Sequence, residues 1–175
     1  MTIFTPITTE AALDTDMAGS SNVSSSEFVR LYISAAAGTE YLITIQTGGF
    51  TDATCDYDDD PTITCDANTN IKAGLFVSGT GIPDHAYVDA VTEGGGAGTG
   101  VTTFELSAST TGGAVSNGTL TFASKLGTFS LEGLDTAIIR KASTDKLFAA
   151  NAAVLACGVS IVEVGQPREY SKSAN

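Results

Sequence analysis

The sequence predicts an all-β protein, in which a small β-sandwich or barrel base domain carries an inserted second β module. Two observations favour this class. Charged residues make up 16% of the 175 residues, below the roughly 25% of an average globular chain, so long helices with charged outer faces are disfavoured. Short segments in which apolar and polar residues alternate recur along the chain, separated by turns rich in Gly, Ser and Thr, and this pattern is typical of strands.

Residues 1–26 form the first predicted region, an N-terminal arm. Small polar residues dominate it and it ends in GSSNVSSS, so we expect it to supply little of a core. An apolar cluster stands at its start: Ile3, Phe4, Pro6 and Ile7. An extended segment of this kind either adds as a strand to the sheet edge of a partner or forms an N-terminal strand of the protein's own sheet. The first alternative makes these four residues candidate partner-binding residues.

Residues 27–49 together with residues 125–175 form the predicted base domain. In the segment EFVRLYIS, the side chains of Val29, Leu31 and Ile33 fall on one face of a strand. The segment EYLITIQ repeats the pattern after the turn AAAGT, so the two segments are predicted to form a hairpin. Four further strand candidates follow residue 124: GTFSLEG, DTAIIRKA, KLFA and AVLACGVSIVEV.

Residues 50–124 form the predicted inserted module, which is strongly acidic. It holds ten acids against Lys72 alone, nine of the twelve net negative charges of the chain, whereas residues 125–175 are near neutral. We therefore expect the module to face solvent and the base to approach a partner. The dipeptide Asn117-Gly118 predicts a hairpin turn. The predicted strands of the module are TITCD, AGLFVSG, AYVDAV, TTFELS and GTLTF.

The charge balance and the absence of apolar runs exclude several partners. Twenty Asp and Glu against eight Lys and Arg repel phosphate backbones and anionic lipid, so we expect neither nucleic acid nor a membrane as partner. No stretch approaches the run of about 20 apolar residues that a spanning helix needs, and the N-terminus lacks the pattern of a signal peptide. We therefore expect a soluble protein that is made in a cytoplasm.

Neither an enzyme nor a bound cofactor is predicted. His85 is the single histidine, and a nucleophilic triad would have to be assembled around it and Asp84, so a histidine in a surface turn is favoured. The glycine run from Gly94 to Gly100 lacks both the GxGxxG spacing and the GK[ST] ending of phosphate-binding loops. It is predicted to be a hairpin loop.

One acidic segment is a weak candidate for a cation site. Asp56, Asp58 and Asp60 have the D-x-D-x-D spacing of calcium-binding loops, but Pro61 stands where such loops have glycine and no acid occupies the twelfth position. A solvated acidic loop without metal is therefore the favoured interpretation.

The three cysteines are too few for a disulfide framework and form no CxxC pair. Cys157 lies in an apolar run and is predicted to be a buried, inert thiol. Cys55 and Cys65 either stay reduced or close a short loop when the protein meets an oxidising medium.

Between residues 62 and 123 a TxT strand leads to the segment VSGTGIP from Val77 to Pro83, then to a Val-rich strand, to TFELS and to the closing TLTF from Thr119 to Phe122. This succession resembles a β module that recurs in tailed-bacteriophage virion proteins. The flanking segments EFVRLYISAAAGTEYLITIQ and GTFSLEGLDTAIIRKASTDKLFA are similar to the two halves of a small β domain of phage particles. The DYDDDP and EGGGAGTG loops look like additions to the module.

The resemblance implies a structural virion role, foremost that of a capsid decoration or cement protein on the capsid surface, made in the host cytoplasm. Its partner would be the lattice of the major capsid protein. Each copy would bridge neighbouring shell subunits, and a homo-oligomer, a trimer on a lattice threefold axis, fits this role. The alternative is a tail or fibre subunit that binds a host-surface carbohydrate, although the absence of Trp and the 7% aromatic content leave few rings for sugar stacking.

Overall fold

The computed structural model describes residues 2–163, which form fourteen β-strands. The all-β prediction is confirmed. Within this range, no helix is long and apolar enough to span a membrane. The strands are β1 (Thr2–Pro6), β2 (Ala11–Ala12), β3 (Phe28–Ile33), β4 (Glu40–Gln46), β5 (Phe50–Asp58), β6 (Thr62–Asn68), β7 (Phe76–Ser78), β8 (Val88–Glu93), β9 (Val101–Leu106), β10 (Ala114–Ala123), β11 (Lys125–Glu132), β12 (Thr136–Arg140), β13 (Lys146–Ala149) and β14 (Val154–Glu163).

The strands build three antiparallel sheets. The first has the order β1-β14-β3-β12, with β2 also paired to β14; the second has the order β7-β10-β5-β6-β9-β8; the third has the order β11-β4-β13. Every strand of the second sheet lies between residues 50 and 123, and every strand of the other two lies outside that range. The separation of the chain into independently folding domains stays a prediction.

The first and third sheets share one hydrophobic core. On β3, the predicted inward residues Val29, Leu31 and Ile33 are fully buried, and Ile43 of β4 packs in the same core. The predicted hairpin of β3 with β4 is wrong, because β3 pairs with β12 and β14 whereas β4 pairs with β11 and β13. β3 and β4 belong to different sheets, and each presents its apolar face to the shared core. If they paired as a hairpin they would lie in one sheet, and the core would lack its second layer.

The second sheet encloses its own core. Its edge strands meet, because the N–H of Val77 donates to the carbonyl of Ala86 at 2.9 Å and the N–H of Val88 donates to the carbonyl of Leu75 at 2.8 Å. The sheet therefore curls round on itself. Inside, the ring of Phe122 packs edge-on against Phe104, with ring centroids 5.6 Å apart.

The N-terminal region contributes more to the core than its composition predicts. Leu13 and Val23 are 3% and 8% exposed and join the core of the first and third sheets. Three consecutive residues, 23–25, adopt left-handed backbone angles. The preceding carbonyl, that of Asn22, accepts a 3.0 Å hydrogen bond from Nζ of the buried Lys141. The region is thereby fixed to the base rather than extended away from it.

Candidate functional site

The candidate partner surface is a two-stranded ribbon formed by β1 and residues 159–163 of β14. Phe4 pairs with Ile161 and Pro6 pairs with Val159 in antiparallel register. On the other side of β14, the register with β3 ends at Gly158. Beyond that residue, β1 is the strand that pairs with β14 in the described part of the chain. Ile7, the residue after β1, donates its N–H to the carbonyl of Gly158 at 2.9 Å. We call the two segments, with Ile7, the terminal ribbon.

Apolar side chains of the terminal ribbon are exposed on both of its faces. Ile3, Phe4 and Ile7 are 40%, 44% and 60% exposed, and Pro6 is exposed as well. Successive residues of a strand point to opposite faces, so Ile3 and Phe4 lie on opposite faces of β1. On β14, Val159 is buried and Ile161 is half-buried, so the exposed apolar surface of the ribbon belongs to its N-terminal segment. The exposed apolar residues are therefore available to a partner.

β1 also presents a free strand edge. It is the outermost strand of its sheet, and no strand among residues 2–163 pairs with its outer side. Such an edge accepts an added strand, except at Pro6, which has no N–H to donate. The arm thus forms a strand of the protein's own sheet, and the docking role of Ile3, Phe4, Pro6 and Ile7 stays a prediction.

The predicted acidic loop is mostly a strand. β5 runs to Asp58, with Cys55 and Tyr57 buried on one face and Asp56 and Asp58 exposed on the other. The apolar–polar alternation of this strand is hard to recognise in the sequence, because a cluster of acidic residues on its solvent face is also typical of a loop. Asp60 lies in the turn that follows.

The carboxylates of this segment accept hydrogen bonds from backbone N–H groups. Asp56 Oδ1 accepts from Asn117 at 2.7 Å, and Asp60 Oδ1 accepts from Thr62 at 2.7 Å. Asp59 Oδ1 accepts from Gly113 at 2.8 Å. The contacts of Asp56 and Asp59 join β5 and the turn after it to β10 and to the residue before it. Among residues 2–163, no group of three or more His, Cys, Asp or Glu side chains is arranged to hold a metal ion.

One further carboxylate, that of Asp52, is nearly buried. Burial by itself raises its pKa, but hydrogen bonds from Asn68 Nδ2 at 2.7 Å and from Thr54 Oγ1 and N at 2.7 and 2.9 Å outweigh burial. The pKa of Asp52 therefore lies below its ordinary value. This carboxylate stays ionised and ties β5 to β6, a structural role.

His85 lies in an exposed surface turn, as the sequence predicts. It also lines a cleft that the sequence does not indicate. Its backbone is left-handed, with φ of 61°. Its ring stacks on Phe148, with centroids 5.6 Å apart, and Phe76 packs edge-on against the same ring at 6.4 Å. The cleft, of about 490 Å³, is lined by Leu42, Phe76, His85, Tyr87, Lys125 and Phe148 among others.

This cleft lies between the second and third sheets. Phe148 lies on β13, whereas Phe76 and His85 belong to β7 and to the turn before β8. A volume between about 300 and 1,000 Å³ with mainly apolar walls is typical of small-ligand sites. Its residues are too far apart in the chain for any sequence spacing to indicate the cleft.

Comparison of the chain with protein-family models, with curated proteins and with solved structures gives no significant match.

Proposed function

We propose that this protein is a structural virion protein, a capsid decoration or cement protein that binds the phage head shell through the terminal ribbon. The observation that carries the proposal is the exposure of Ile3 and Phe4 on β1, the outermost described strand of its sheet, and of Ile7 directly after it. An apolar strand left uncovered in a single chain is what an assembly protein needs for docking.

The charge distribution supports the same orientation. Residues 2–9, TIFTPITT, carry no charged side chain, while the acids concentrate between residues 50 and 124. An uncharged β1 segment docks without desolvating charges of its own, and an acidic module that faces solvent repels other acidic surfaces. Many copies, each bound weakly and each bridging neighbouring shell subunits, would together stabilise a shell without any catalytic step. A homo-oligomer on a lattice axis, foremost a trimer, would multiply these contacts.

Copy number in purified particles tests the proposal. We expect virions of the phage whose genome carries this sequence to contain the protein in a number comparable to that of the major capsid protein, measured by quantitative mass spectrometry. Absence from the particles would overturn the virion role. A few copies per particle would overturn the decoration role in favour of a tail or fibre subunit.

Surface substitutions test the ribbon itself. We expect Phe4→Ser with Ile7→Ser to abolish binding to shells assembled without the protein while leaving its melting temperature nearly unchanged, because both side chains are exposed. The matched control is Leu126→Ser with Leu134→Ser, which are 54% and 58% exposed at other positions. If both double variants bind equally well, the ribbon is not the docking surface.

The cleft around Phe148 favours a second candidate function, that of a tail or fibre subunit that binds host-surface carbohydrate. Aromatic and imidazole rings line it, together with Lys125. Sugar rings stack on aromatic faces, and polar groups at a pocket wall orient them. Calorimetric titration with purified host-surface polysaccharide, comparing the protein with its His85→Ala and Tyr87→Ala variants, tests this candidate. Undetectable binding of the polysaccharide would overturn it.

A further inference from the structure

Cys55 and Cys65 lie opposite each other on neighbouring antiparallel strands. In the β5–β6 pair, Asp56 is the register partner of Thr64. Two side-chain contacts join the same strands beyond this pair: Thr54 Oγ1 accepts from the N–H of Asp66 at 3.0 Å, and Asp52 Oδ2 accepts from Asn68 Nδ2 at 2.7 Å. Extended by one residue, the register places Cys55 opposite Cys65.

This placement suits a disulfide. Directly opposed side chains of an antiparallel pair point to the same face, and their Cα atoms are about 4.5 to 5.5 Å apart. Disulfides span Cα separations of about 4.4 to 6.8 Å. Cys55 is fully buried in the core of the second sheet, and Cys65 is half-buried against the same core. The two thiols thus share one environment.

A disulfide here would reinforce the pair of neighbouring strands that has the shortest ladder in the second sheet. The ladder between β5 and β6 is the shortest in that sheet, a single register pair. Side-chain contacts from Asp52 and Thr54 supplement it. A covalent link at residues 55 and 65 would close the hairpin that carries the acidic segment.

We propose that Cys55 and Cys65 are a redox modification site, which closes to a cross-strand disulfide in a medium that contains a low-molecular-weight disulfide such as oxidised glutathione. The inference is independent of the proposed virion role, because it depends only on the strand register and on the two thiols.

The chemistry proceeds in two exchange steps. Cys65 is the more accessible thiol, so its thiolate attacks one sulfur of oxidised glutathione; that S–S bond breaks, a mixed disulfide forms, and one glutathione leaves and takes up a proton. The thiolate of Cys55 then attacks the sulfur of Cys65 and releases the second glutathione. Two protein thiols are oxidised and one glutathione disulfide is reduced to two thiols.

The environment sets the rate of these steps. Burial raises the pKa of Cys65 to about 11 and that of Cys55 to about 12, so thiolate is scarce at neutral pH. We therefore expect closure to accelerate as the pH rises towards 9. Cys157 is buried on β14 in the first sheet. Its register partner on β3 is Arg30, not a cysteine.

Incubation of the reduced full-length protein with oxidised glutathione tests the proposal. We expect the protein and its Cys157→Ser variant to lose two thiols each, to lose the mass of two hydrogen atoms, and to gain roughly 5–10 °C in melting temperature, all reversed by dithiothreitol. Peptide mapping should identify the link between residues 55 and 65.

Single-thiol variants separate the two steps. Cys55→Ser should stop at a glutathione adduct on Cys65, and Cys65→Ser should remain unreacted in the native state. Cys55→Ala is a second variant for the buried position, in case serine there prevents folding. The proposal is overturned if the unaltered protein keeps all three thiols, stops at the adduct with Cys55 free, or forms its link through Cys157.

Discussion

The backbone N–H of Thr47 donates a 2.9 Å hydrogen bond to the carbonyl of Ser124, and the N–H of Ser124 donates a 2.9 Å bond back to Thr47 Oγ1. The two residues flank the second sheet, whose strands all lie between them in sequence. The chain therefore leaves the base and returns to it at a single point. This geometry is typical of a domain insertion.

The first prediction follows from this closure. Replacing residues 50–123 by a short Gly-Ser linker should leave the base folded, because the linker has to span only the gap between two hydrogen-bonded segments. Phe148 would lose its cover from Phe76 and His85, so Phe148→Thr should accompany the deletion. Circular dichroism and a cooperative thermal transition are the measurements. A shortened protein that unfolds despite this substitution would show that the base depends on the module.

Much of the fold could be predicted from alternation alone. The pattern of β3 predicted the three residues that are fully buried, Val29, Leu31 and Ile33, because a half-buried strand must alternate. The same logic missed β5, where Asp56 and Asp58 occupy the solvent face. It also gave the wrong partner for β4, because pairing depends on which sheet completes the core rather than on nearness in the chain.

Local dipeptides were less informative than alternation. Asn117-Gly118 was predicted as a hairpin turn, but both residues lie within β10 at a shift of its register with β5. Asn117 has φ of 52°, and a bulge uses the left-handed conformation as readily as a turn does. The interpretation as a turn is wrong because the dipeptide specifies a backbone angle and not a chain reversal.

The candidate site was predictable in part for the same reason. The apolar cluster from Ile3 to Ile7 is visible in the sequence, whereas its pairing with β14 joins residues more than 150 positions apart. No local pattern encodes such a contact. The opposition of Cys55 and Cys65 could have been found, because the two residues are spaced symmetrically about the turn at Asp60.

The second prediction concerns the acidic segment. Changing Asp56, Asp58 and Asp60 together to Asn should shift the melting temperature by less than about 2 °C, because an amide oxygen still accepts the backbone bonds that Asp56 and Asp60 now accept. Millimolar calcium should not shift the melting temperature of either protein. A rise of several degrees with calcium that the triple variant abolishes would instead establish a cation site.

The third prediction concerns the contact of Phe148, on the third sheet, with His85, in the turn before β8 of the second sheet. Phe148→Ala should lower the free energy of unfolding by about 3 kcal/mol, because the ring is 3% exposed and its removal leaves a cavity. His85→Ala should cost much less, because that ring is exposed and covers only one side of Phe148. Urea unfolding of both variants measures the difference. Equal losses would mean that the stacked pair acts as one unit.

The last prediction uses the depressed pKa of Asp52. A carboxyl whose pKa is lower in the folded state than its ordinary 3.8 adds stability above that value and loses it as the pH falls through the folded pKa. The unfolding free energy of the protein should therefore decrease as the pH falls below 3.8 and through the folded pKa of Asp52.

Asp52→Asn should reduce this decrease, because the variant has no carboxylate to protonate. It should also lower the free energy of unfolding at pH 7, because the new amide group would face Asn68 Nδ2, which donates to Asp52, with a second donor. The matched control is Asp66→Asn, an exposed carboxylate on β6, which should keep the slope of the unaltered protein. Urea unfolding at a series of pH values gives all three curves. If the curve of Asp52→Asn runs parallel to that of the unaltered protein, the hydrogen bonds of Asp52 do not govern its acid stability.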